Sequence, residues 1–78
     1  MHEIGIAKEV LSIALEKASG KKIKSITVEL ADDGHTTPAT FTSAFTMVSQ
    51  GTVAEGAVLK IHKTDELESR VLEIEVER

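Results

Sequence analysis

From Ile4 to about Ser19, apolar residues recur at spacings of three and four: Ile4, Ala7, Val10, Leu11, Ala14, Leu15 and Ala18. On a helix these positions share one face. Lys8, Glu9, Ser12, Glu16 and Lys17 fall largely off that stripe. The pattern predicts an amphipathic helix, and Gly20 stands where a left-handed residue closes one. The period then changes to two. In "IKSITVEL", residues 23–30, Ile26, Val28 and Leu30 alternate with Ser25, Thr27 and Glu29. Alternation with β-branched residues predicts a strand with one wet face. "ADDGHTTP" follows, a turn by its Asp, Gly and Pro content.

A second helix is predicted to open at Thr37–Pro38, since threonine caps helices and proline suits the first helical position. Phe41, Ala44, Phe45 and Val48 form its apolar stripe, and Gly51 closes it. "GTVAEGA" is a connecting loop. "AVLKIHK", 57–63, predicts a second strand with Leu59 and Ile61 inward, Lys60 and His62 outward. "RVLEIEVER", 70–78, predicts a third, with Leu72, Ile74 and Val76 alternating with Glu73, Glu75 and Glu77. The expected class is α+β in the order αβαββ, a mixed three-stranded sheet with two helices packed on one face. Strands one and two are expected to be parallel, joined by a right-handed crossover through the second helix. Strands two and three are expected to form an antiparallel hairpin through "TDELES". Glu73 and Glu75 would then face Lys60 and Lys24 across the sheet, in exposed pairs worth about 0–1 kcal/mol each.

Composition narrows the function. A chain of 78 residues makes one domain. It has no cysteine, which excludes a disulfide framework, a thiolate zinc site and a cysteine nucleophile, and fits a reducing cytoplasm. The formal charge of −4 disfavours nucleic acid, whose phosphates an acidic surface repels. Lys21, Lys22 and Lys24 are the one basic cluster, and they read as a solvated turn. No apolar run is long enough to span a membrane, and the N-terminal stretch is not signal-like. The two phenylalanines are the only aromatics, too few for a platform that stacks bases or sugars.

No catalytic constellation is present: there is no phosphate loop and no GxSxG, and "HEIGI" has Ile6 where HExxH needs its second histidine. The expectation is a protein that is not an enzyme. His35 falls in a turn and His62 on the wet side of a strand, and both read as surface residues. His2 is placed differently. The amine of Met1, the amide of His2 and the His2 imidazole Nδ1 close a five-membered and a six-membered chelate ring, and the Glu3 amide offers a fourth nitrogen. Four coplanar nitrogens suit Ni(II) or Cu(II), whereas Zn(II) prefers a tetrahedron. The first amides of a helix lack intrahelical partners and are free to ligate. The positive end of the helix dipole opposes a cation, and amide deprotonation offsets it. The site requires that Met1 be retained, which a bulky second residue favours, and that its amine be free. The other reading, the default from the residues alone, makes His2 and Glu3 a polar lead-in to the helix, with Glu3 favouring its N-terminus by charge.

Several stretches in register carry a resemblance: "MHE" ahead of an amphipathic helix, "ITVELADDG", "TPATFTSAF", "GTVAEGAVLKI" and "VLEIEVER". Together they resemble the HypA family of nickel metallochaperones, which serve hydrogenase and sometimes urease maturation. The resemblance implies a nickel site at Met1, His2 and Glu3, with Ni(II) as transient cargo for a metal-acceptor or maturation protein. Nickel over copper rests on the resemblance, since Cu(II) binds such nitrogens at least as well. The family inserts a zinc domain with paired CxxC motifs where "HKTDELESR", 62–70, stands here as a short loop. Residues 1–78 thus resemble a single nickel-binding domain without structural zinc. The alternative is a protein-interaction module that keeps this fold without its metal, and an edge strand offers a route to a homodimer.

Overall fold

A computed structural model describes residues 3–78. Helix α1 runs Glu3–Ala18, β1 Ile23–Ala31, α2 Pro38–Val48, β2 Val58–Thr64 and β3 Arg70–Val76, the predicted order. The α1 stripe behaves as read: Ala7, Val10, Ala14 and Ala18 are buried, and Ile4, Leu11 and Leu15 pack against the core. Three alanines on that face let α1 lie close to α2 and to the sheet. Past Ala18 the chain turns through left-handed Ser19 and Gly20, with the Lys21 amide donating to the Ala18 carbonyl at 3.1 Å.

Helix α2 opens on Thr37 as its cap. The Thr40 amide donates to Thr37 Oγ1 at 3.1 Å, and the Thr37 amide donates to Thr40 Oγ1 at 2.9 Å. This reciprocal box satisfies donors that the first turn leaves orphaned, and Pro38 has no amide to satisfy. Thr37→Ala removes the cap acceptor. We expect it to lower stability by about 1 kcal/mol, read as a shift in the urea midpoint at unchanged slope. Phe41, Ala44 and Phe45 face inward and join Val10, Ile23, Ile26, Val28 and Leu30 in one core.

The sheet order is β2-β1-β3, with β1 parallel to β2 and antiparallel to β3. The expected β2–β3 hairpin is therefore corrected: β1 lies between those strands. The reason is burial. Ile23, Ile26, Val28 and Leu30 of β1 are all at most 1% exposed, so β1 takes the centre, while alternate residues of β2 and β3 stay wet at the edges. β2 continues to Thr64, opposite Ala31, and β3 starts at Arg70, opposite Glu29. The loop between them is consequently 65–69 rather than the expected 62–70.

Leu72 is a second correction. Thr27 pairs with Glu73 and Val28 with Val71, so Leu72 is the extra residue of a bulge. It is 45% exposed, and Val71 packs against the core with Ile74 and Val76. The expected Glu73 and Glu75 pairs with Lys60 and Lys24 do not form. Thr27 stands between Lys60 and Glu73, and Glu75 Oε1 accepts from Ser25 Oγ at 3.0 Å. Among the described residues the ion pair is Arg70 Nε to Glu29 Oε1, 2.8 Å. No helix among the described residues is long and apolar enough to cross a membrane.

Candidate metal centre

Of the three expected site residues, Met1 and His2 lie outside the described residues. Glu3 is the first residue of α1 and is half-buried. A helix that opens there leaves its first amides without intrahelical acceptors. Glu3 and Ile4 border a shallow cavity of about 310 Å³ with Ala39, Thr40, Ser43 and Met47 of α2. Glu3 is the one charged side chain in that lining, and Met47 is 60% exposed. The start of α1 thus sits beside an uncharged stretch of α2. The sequence did not single out Met47; its position off the α2 stripe was the available signal.

The other two histidines lie on other segments of the chain. His35 is exposed in the turn after β1. His62 is exposed on β2, opposite the Glu29 that pairs with Arg70. Among the described residues no three His, Cys, Asp or Glu side chains come together as a metal cage.

The remaining chemistry is structural. Phe41 and Phe45 stack with ring centroids 6.0 Å apart, both buried, so neither is available to a base or sugar. A cavity of about 390 Å³ lies between α2 and the segment leading into β2. Its one carboxylate, Glu55, is engaged, with Oε1 accepting from the Gly51 amide at 3.0 Å. In the turn before α2, Asp33 Oδ1 accepts from the amides of Thr36 at 2.6 Å and His35 at 2.8 Å, and Oδ2 accepts from Thr36 Oγ1 at 3.1 Å. The Thr36 and His35 amides hold the Asp33 carboxyl down, from 3.8 to about 2. A depressed carboxyl stabilises the fold above its ordinary value, and that contribution disappears as pH falls from about 4 through about 2. Asp33→Asn is expected to flatten the pH dependence of the urea midpoint across that window.

Over residues 1–71 the chain matches the family described as "Hydrogenase/urease nickel incorporation, metallochaperone, hypA". It is 38% identical over 63 residues to the hydrogenase maturation factor HypA of Trichodesmium erythraeum, covering 81% of this chain and 55% of that one. It is 39% identical over 61 residues to HypA of Trichormus variabilis, covering 78% and 54%. The chain thus spans about half the length of the curated relatives it matches. Its fold matches the solution structure of the Ni metallochaperone HypA from Helicobacter pylori, with a TM-score of 0.77 over 97% of each chain at 18% identity. An αβαββ domain that opens with Met-His-Glu and matches this family over nearly its whole length belongs to the HypA family.

Proposed function

We propose that this chain carries Ni(II) at Met1, His2 and Glu3 and passes it to an acceptor protein in hydrogenase or urease maturation. The observation that carries the reading is Met1 and His2 directly ahead of a helix that opens at Glu3. The amine of Met1, the His2 amide and Nδ1 of the His2 imidazole offer three nitrogens in one plane through fused five- and six-membered rings, and Glu3 supplies the fourth donor. Family membership supports nickel as the cargo. The role is a carrier's, in the cytoplasm, and needs no bond-breaking chemistry. It also needs no structural zinc, and the chain has no thiol to ligate one. Acid releases the metal, because protons compete for amine, imidazole and amide nitrogens alike.

The sheet has two open edges, and they differ. β3 carries the Leu72 bulge, which blunts pairing, whereas the parallel β1–β2 register runs unbroken from Ser25–Val58 to Ala31–Thr64. Pairing of two copies, if the carrier works as a dimer, uses β2. The functional test is calorimetric titration of Ni(II) into the chain with a free amine. One metal per chain, lost in His2→Ala, is the expected result. A folded protein that takes up no nickel leaves the interaction-module reading in its place.

A further inference from the structure

We propose that the 65–69 loop is a docking knob for a partner surface that is apolar at its centre and basic at its rim. Leu67 at its tip is 98% exposed, the most exposed large apolar side chain among the described residues. An isolated surface leucine needs no explanation. This one is not isolated. Leu67 shares a shallow cleft of about 290 Å³ with Ile6 of α1, and Ile6 borders a second cleft with Ile13, itself 40% exposed. Apolar side chains thus recur from the loop tip along α1, with Glu9, Glu68 and Ser69 set among them.

The loop is held so that its tip projects. At one stem, Thr64 Oγ1 accepts from the Glu66 amide at 3.2 Å, and the Thr64 carbonyl accepts from the Asp32 amide at 3.4 Å. At the other, Ser69 Oγ accepts from the Ala31 amide at 2.8 Å. Both stems are therefore fastened to the end of β1. Residues 66–68 span the gap between them, so Leu67 is presented from a supported base rather than from a slack connection.

Charge identifies the partner. Asp65, Glu66 and Glu68 flank Leu67 in the chain, and Glu9 and Asp33 line the clefts beside it. No lysine or arginine lines either cleft. The nearest basic residue in the chain, Arg70, is already paired with Glu29. An acidic ring around an apolar knob repels acidic surfaces and anionic lipid, and attracts an apolar surface edged with lysine or arginine. The occupant that fits is an amphipathic protein helix with leucine-type side chains on one face and basic residues along its margins. This surface uses none of Met1, His2 and Glu3, so the proposal stands or falls independently of nickel binding.

The probe is a synthetic amphipathic peptide with leucines on one face and lysines on the other, titrated into the whole chain while amide shifts are followed by NMR. Two control peptides replace the lysines with glutamates or the leucines with serines. Expected is saturable binding of the first peptide alone, weakened by salt, with shifts confined to 65–69 and the Ile6–Ile13 side of α1. Leu67→Ser should weaken it about tenfold. Because Leu67 touches so little, that variant should keep the wild-type circular dichroism. The proposal is overturned if the first peptide fails to bind, if Leu67→Ser leaves affinity unchanged, or if the serine-faced peptide binds equally, which reveals only attraction to net charge.

Discussion

Phe41→Ala is expected to lower the stability of the domain by about 3–5 kcal/mol. Phe41 is the largest fully buried side chain, 0% exposed, and it packs at the centre of the core with Phe45 stacked beside it. Truncating a buried phenylalanine costs about 3–5 kcal/mol, from lost burial plus the cavity left behind. A domain of 78 residues has roughly 4–12 kcal/mol in total, at about 0.05–0.15 kcal/mol per residue. The loss is therefore comparable with the whole stability at the lower end of that range. It cannot be recovered locally, because α2 is rich in threonine, a poor helix former, and is held by its apolar face. Urea denaturation followed by circular dichroism measures it. Met47→Ala, at an exposed position on the same helix, is expected to shift stability by no more than about 0.5 kcal/mol.

The contrast between those two positions was legible in the sequence, because helical spacing placed Phe41 on the inner stripe and Met47 off it. The same periodicity marked both helices and all three strands, and cap and proline chemistry marked the Thr37–Pro38 start. Strand order was not legible. "TDELES" is short enough for a hairpin, and alternation within a strand says which face is wet but not which strand is its neighbour. The decision rests on how completely each strand is buried, a property of the assembled core. Leu72 was misread for a related reason: one extra residue reverses the alternation, and nothing in "RVLEIEV" marks the bulge. Asp33 was visible as a turn residue, while its three accepted hydrogen bonds depend on the closed geometry of that turn. At the candidate site, helical periodicity located the helix that opens at Glu3. Chelate geometry and the family resemblance, rather than periodicity, brought Met1 and His2 into the reading.

The second large effect concerns those residues. His2→Ala removes the imidazole and with it the six-membered chelate ring. Acetylating the amine of Met1 removes the terminal nitrogen and the five-membered ring. Changes in groups that merely support metal ligands cost 10–100-fold in affinity, so loss of a direct ligand is expected to cost more than roughly 100-fold. Thermal unfolding without metal is expected to match the wild type in both. The two losses should resemble each other, because each leaves too few nitrogens to complete the plane.

Ni(II) absorption spectroscopy on the free-amine chain, the His2→Ala variant and the amine-acetylated chain tests the central claim most directly. The predicted result is the yellow absorbance of planar Ni(II), saturating at one metal per chain, in the first protein alone. Equal nickel binding with the same spectrum in all three proteins would contradict a site built from Met1, His2 and Glu3.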